Sequence, residues 1–110
     1  MATISSHILD SIKGTHAAGI RCQLKRLAPG AEVLFDVNAD HEGRINETLH
    51  LEADQLGGEF ELVIHAAEYF QLDAALVPVV VIRFVIRDAQ RRYHLPVMLS
   101  PHACSTWWSA

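Results

Sequence analysis

Turn-forming residues divide this sequence into runs too short for long helices. Lys13-Gly14, Pro29-Gly30, Asp40-His41-Glu42-Gly43, Gly57-Gly58, Pro78 and Asp88-Ala89-Gln90 each interrupt it, and such residues have the backbone preferences that make turns. Between them apolar and polar residues alternate with a period of two, as half-buried strands require. Ile4, Ser6 and Ile8 alternate with Ser5, His7 and Leu9, and Ile20, Cys22 and Leu24 alternate with Arg21, Gln23 and Lys25. Glu32 to Val37 and the stretch through Thr48, Leu49 and Leu51 read as further strands. Phe60, Leu62 and Ile64 share one face of another. Val79 to Ile86 is dense in Val and Ile and reads as a buried strand, followed by a hairpin loop at Asp88-Ala89-Gln90. In the last strand Tyr93, Leu95, Val97 and Leu99 face one way, and His94 and Met98 the other. Pro96 removes one ladder N–H from it, which places it at an edge or interface. Ala66 to Leu76 is the one helical candidate, closed by Pro78. Short sequential strands joined by turns predict an all-β fold, a two-sheet antiparallel sandwich of about eight strands with one short helix. With 110 residues, the chain is read as a single domain over 1–110.

Composition narrows the function classes. Half of the residues are hydrophobic (50%) and 20% are charged, which excludes a disordered chain. The net charge of −4 and the absence of a basic run argue against nucleic acid as a partner. The longest apolar run, Ala74 to Ile82, is too short to cross a bilayer, so no membrane partner is expected. The opening residues have neither a basic segment nor an apolar core of the signal-peptide kind. Cys22 and Cys104 match no metal or redox spacing, and both are expected to be reduced thiols in a cytoplasmic protein. The 7 histidines fall in no metal-binding spacing, so no metal is expected.

Three residues carry candidate chemistry. His7 lies in the first strand on the face away from Ile8, and His94 in the last on the face away from Leu95 and Val97. Arg44 follows the Gly43 turn, where side chains are often displayed. Two histidines and an arginine can activate water and stabilise an oxyanion. No serine or cysteine occupies a nucleophile-elbow motif, so covalent catalysis has no support. Spacing alone does not link the three, and a strand histidine or a turn arginine is more often structural or solvated.

The same residues sit in blocks that resemble the transthyretin-like family. SSHILDSIKGTHAAG resembles that family's opening, T-x-H-V-L-D followed by G-x-P-A, and DHEGRI resembles its D-x-D-G-R turn. GEFELVIHAAEYF resembles the G-x-Y-E-L-V-F-x-x-x-x-Y-F block, and RFVIRDAQRRYHLPVMLSP the F-x-I-x-D-x-x-x-H-Y-H-V-P-L-L-L-S-P block. They occur in order over nearly the whole chain. The family has two branches, 5-hydroxyisourate hydrolase and the hormone carrier transthyretin. The hydrolase branch uses a histidine, an arginine and a second histidine at the positions of His7, Arg44 and His94. The resemblance therefore implies a hydrolase with no cofactor, acting on a small-molecule substrate. One histidine would be the general base, the other would orient water or protonate the leaving nitrogen, and Arg44 would hold the oxyanion. It also implies a homotetramer with sites at the dimer–dimer interface.

Two departures stand out. The hydrolases end S-T-Y-R-G-S where this chain ends Ser105-Thr106-Trp107-Trp108-Ser109-Ala110, and the first histidine of H-Y-H is Arg92. The tail substitutions remove hydrogen-bond donors and add broad apolar surface. Trp107, Trp108 and Ser109 are thus candidate substrate-binding residues, and an N-methylated 5-hydroxyisourate is a candidate substrate. A carrier for an aromatic ligand, lined by the two tryptophans, is the alternative reading.

Overall fold

The computed structural model describes residues 1–28 and 30–109. Its strands are β1 (Ala2–Asp10), β2 (Thr15–His16), β3 (Arg21–Arg26), β4 (Glu32–Asn38), β5 (Arg44–Leu49), β6 (Glu59–Ile64), β7 (Val80–Val85), β8 (Arg92–His94), β9 (Val97–Ser100) and β10 (Ala103–Thr106). A single α-helix among the described residues, α1 (Ala66–Phe70), follows β6. The strands form a six-stranded and a four-stranded sheet, the latter in the order β4-β3-β6-β7. In the larger sheet β1 is central. Its first half pairs with β5 and β8 and its second half with β2 and β9, while β10 extends the sheet beyond β9.

The alternation in β1 sets which side is core. Ile4 and Ile8 are fully buried between the sheets. They pack in two apolar clusters, one around Ile8, Ile20, Leu62, Ile64, Val97 and Leu99, the other around Ile4, Leu24, Phe60 and Ile86. Burying a side chain such as Phe60 contributes about 1.5–3 kcal/mol. Ser6, though polar, also points inward, and its hydroxyl donates to the Leu95 carbonyl at 2.7 Å.

The sandwich is as the sequence predicts, and several details differ. The larger sheet is mixed rather than antiparallel, because β1 runs parallel to β8 and β9. The last strand is broken at Leu95-Pro96 into β8 and β9; proline cannot donate to the ladder, and the break falls there. Two strands, β2 and β10, lie where the sequence reading placed none. The segment at Asp88-Ala89-Gln90 is no hairpin, since it carries the chain from β7 in one sheet to β8 in the other. The strand expected to be buried is an edge, with Val81 45% exposed. The turn expected at Pro29-Gly30 involves Pro29, which lies outside the described residues.

The helix is shorter than the predicted 66–76. It stops at Gln71, which takes a left-handed φ of 57° and donates its N–H back to the Ala67 and Glu68 carbonyls. Beyond it Leu76 is 97% exposed. With no apolar stripe to bury, nothing drives the helix onward. What α1 does supply is Tyr69, whose hydroxyl donates to Asp10 Oδ2 at 2.8 Å. Asp10 is 2% exposed and also accepts the Ile12 and Lys13 N–H groups at 2.9 and 3.1 Å.

Burial alone would raise the Asp10 carboxyl, but these donors outweigh it and hold it below 3.8. The Tyr69 phenol is pushed up to about 12 by burial and by Asp10. A depressed carboxylate contributes stability that is complete above its unfolded value and lost as pH falls through its lower folded value. Tyr69→Phe is therefore expected to cost about 1.5–3 kcal/mol at neutral pH in urea denaturation. That deficit closes as the pH is taken below the folded Asp10 value.

Candidate active site

The outward residues of β1 organise the face opposite the core. His7 pairs in register with Arg44 on β5, and Ser5 pairs with His94 on β8. Paired residues project to the same side, as do residues two apart on one strand. His7, Arg44 and His94 therefore share one outer face, with Asn46 opposite Ser5. His94 pairs with Ser5, two residues before His7, so the His7 and His94 positions are diagonal neighbours on adjacent strands.

The arginine is delivered by a tight turn. Asp40 Oδ1 accepts the N–H groups of Glu42 and Arg44, each at 2.9 Å. The Gly43 N–H donates to the Asp40 carbonyl at 3.0 Å, and the Gly43 carbonyl accepts from Ile8 at 2.8 Å. Gly43 has a φ of +70°, and a Cβ added there would stand 2.4 Å from the Ile8 carbonyl oxygen. Only glycine lets the turn press onto β1 so that Arg44 lands beside His7. The DHEGR pattern is thus a backbone device as much as a source of an arginine.

Each histidine has a fixed partner. His94 Nδ1 lies 2.9 Å from Ser5 Oγ, which is nearly buried. Among the described residues His94 Nε2 has no protein partner. His7 Nε2 lies 2.9 Å from His16 Nδ1, with ring centroids 5.1 Å apart. Burial, then Arg44 and His16, and lastly His94 lower the His7 pKa below 6.5, against an opposing pull from the Glu42 backbone carbonyl. On balance the surroundings favour the uncharged ring. The sequence reading missed Ser5 and His16. Ser5 was legible as the residue two before His7 on the same face. His16 was not, because its place depends on a two-residue strand too short to read.

The tail joins the same sheet edge. Thr106 pairs with Val97, and Ser109 bridges His94, its N–H donating to the His94 carbonyl at 3.2 Å. This register sets Trp107 opposite Pro96 and Trp108 opposite Leu95. Trp107 therefore lies on the side of Pro96 and His94, Ser109 bridges His94 at the sheet edge, and Trp108 turns the other way. Together with Ser109 it borders a hollow of about 340 Å³ at the opening between the sheets, with Phe84, Val85, Tyr93 and Leu95. Trp107 and Trp108 are 47% and 74% exposed. A second hollow, about 270 Å³, lies between α1 and β10. Neither hollow includes His7, Arg44 or His94, which stand on an open sheet face.

Fold and geometry together define a transthyretin-like β-sandwich that brings His7, Arg44 and His94 onto one outer sheet face. The chain belongs to the HIUase/Transthyretin family, whose model matches residues 4–108. It is 36% identical to 5-hydroxyisourate hydrolase 2 of Rhizobium meliloti, across 94% of this chain and 92% of that protein. It is 30% identical to the 5-hydroxyisourate hydrolase of Deinococcus radiodurans over the same shares. The solved 5-hydroxyisourate hydrolase of Klebsiella pneumoniae superposes with a TM-score of 0.80 at 29% identity, covering 100% of both chains. Sea bream transthyretin in complex with thyroxine gives a TM-score of 0.81 at 22% identity, over 97% of this chain and 94% of that one. It shares the fold.

Gly14, Gly19 and Gly43 all have positive φ, but an added Cβ meets an obstacle within 4 Å only at Gly43. A strained non-glycine backbone costs about 1–3 kcal/mol. Gly43→Ala is expected to lose that and the clash with Ile8 besides. Thermal denaturation should show a larger drop in Tm for Gly43→Ala than for Gly14→Ala or Gly19→Ala.

Proposed function

We propose that this protein is a hydrolase that opens the ring of 5-hydroxyisourate or an N-methylated analogue. The observation that carries the reading is the shared outer face of His7, Arg44 and His94, in a chain 36% identical to a hydrolase of that name. The chemistry follows from the partners. With Ser5 Oγ accepting from His94 Nδ1–H, the Nε2 lone pair of His94 points outward as the general base. His94 takes a proton from water, and the hydroxide adds to a ring carbonyl carbon. Arg44 holds the resulting oxyanion. The acyl C–N bond then breaks, and the leaving nitrogen takes the proton back from His94. His7 stays uncharged beside Arg44 and orients the water. No metal or organic cofactor enters this sequence of steps.

The tail supports an N-methylated substrate. Trp107 places an indole on the His94 face where the hydrolase pattern has tyrosine, and Ser109 sets a hydroxyl-bearing residue beside His94. A methylated ring nitrogen offers no donor, and broad apolar surface suits it better than hydrogen-bonding groups do. Trp108 lies on the other side of the strand, so in this reading it acts on the substrate only through its neighbours.

An open sheet face does not exclude water by itself, which supports a homotetramer with sites where two dimers meet. Both β7 and β10 are edge strands, and the lining of the hollow beside α1 brings Val80 near Ala103 and Cys104. The two edges therefore lie on one side of the sandwich, where a second copy would extend both sheets. Light scattering is expected to give a tetramer; a monomer would overturn this arrangement.

The deciding test is the decay of freshly generated 5-hydroxyisourate, and separately of its trimethyl analogue, followed in the ultraviolet against the spontaneous rate. Faster decay of the methylated compound identifies the tail as a specificity element, and decay of the plain compound alone removes that role from it. Absence of acceleration with both favours a binding protein. His94→Ala is expected to lower kcat by about 10²–10⁴ with an unchanged melting curve.

A further inference from the structure

We propose that His16 is a positioning residue for His7. The inference rests on the hydrolase reading above, and its starting point is geometric. His7 Nε2 and His16 Nδ1 stand 2.9 Å apart. Two imidazole nitrogens at that distance must share one hydrogen: without it, two lone pairs face each other, and with two hydrogens they collide. One ring therefore donates and the other accepts, so the rotation and tautomer of each fix those of the other. The contact is held by the backbone. His16 pairs with Leu9 in the β1–β2 ladder, which sets its side chain on the face that bears His7. The Ala17 N–H donates to the Ile8 carbonyl at 2.9 Å and Thr15 pairs with Asp10, so the chain is pinned on either side of His16.

The groups facing His7 decide which ring donates. Arg44 approaches from β5, His94 from β8, His16 from β2 and the Glu42 carbonyl from the turn. Beside the Arg44 cation His7 is the ring better left neutral, with its one hydrogen on the nitrogen that His16 does not hold, free to orient the water. His7 Nε2 is then the acceptor and His16 Nδ1 the donor. Beside the Arg44 guanidinium an imidazolium would be repelled. The His16 N–H occupies the lone pair that would otherwise take a proton, and so keeps His7 in its neutral form. The opening block of the family pattern reads G-x-P-A where this chain has Gly14-Thr15-His16-Ala17. A proline offers no such donor, so the pair is a property of this sequence.

The test compares wild type with His16→Ala and His16→Asn. Asparagine places an amide N–H near the position of the histidine Nδ1. The readouts are long-range ¹H–¹⁵N spectra of histidine-labelled protein, with His7 assigned by a His7→Gln variant, and the pH profile of kcat/KM. In His16→Ala the His7 nitrogens are expected to move from a single-tautomer pattern to an averaged one. The acid limb of the profile is expected to shift to higher pH, and kcat to fall on the order of 10- to 100-fold, as for a misplaced catalytic group. His16→Asn restores both. Unchanged His7 nitrogen shifts and a superimposable profile in His16→Ala overturn the proposal. A wild type that accelerates neither substrate overturns the hydrolase reading instead, and the spectra then decide the His7–His16 pair alone.

Discussion

The register of β1 is the constraint on which the rest of the molecule depends. Side chains alternate along a strand, so a slip of one residue would exchange its two faces entirely. In the observed register Ile4, Ser6, Ile8 and Asp10 go to the interior, and Ser5, His7 and Leu9 to the outer face. The strand is paired on both sides, with β5 and β2 along one flank and β8 and β9 along the other. Three devices hold it in place: the buried Asp10 that receives Tyr69 from α1, the Ser6 hydroxyl on the Leu95 carbonyl, and the Gly43 turn pressed onto Ile8. Each is an element of stability and each also positions the site.

Much of this was legible in the sequence because it is written in short-range pattern. Alternation located β1, β3 and β6, turn residues bounded β4, and the DHEG turn announced where Arg44 would emerge. The face shared by His7 and His94 could be read strand by strand, but which strands are neighbours could not. That β8 and β9 run parallel to β1 follows from packing over the whole chain, and no local pattern encodes it. The same limit hid the edge position of β7, because a Val- and Ile-rich run looks alike in a central strand and in an edge strand that awaits a partner. The helix was over-read for a related reason. Ala, Glu and Gln favour helix locally, yet with no core to cover the segment turns at Gln71.

The tail shows what register adds to a motif. Read as a string, Trp107, Trp108 and Ser109 form one apolar replacement for a polar signature. Paired against β8 and β9, they divide, with Trp107 on the His94 side, Trp108 toward the opening between the sheets, and Ser109 bridging His94 at the rim of that opening. Family membership and the hydrolase relatives set the chemistry to look for. The chain's own departures, the Trp107 indole and the His16 partner of His7, distinguish this version of the face.

The adjoining edges of β7 and β10 have a consequence for handling the protein. Each presents a row of peptide groups with no ladder partner on its outer side among the described residues, and the two rows lie on one side. Such edges recruit strands indiscriminately. Around β7 the protection comes from charge: Arg83 bridges Glu59 and Glu61 at 3.2 and 3.0 Å. β10 is exposed along its whole length and has no charged side chain. In the proposed tetramer, where copies cover these edges, dilution, acid or mild denaturant that separates the copies would also expose the surfaces from which irreversible aggregates grow.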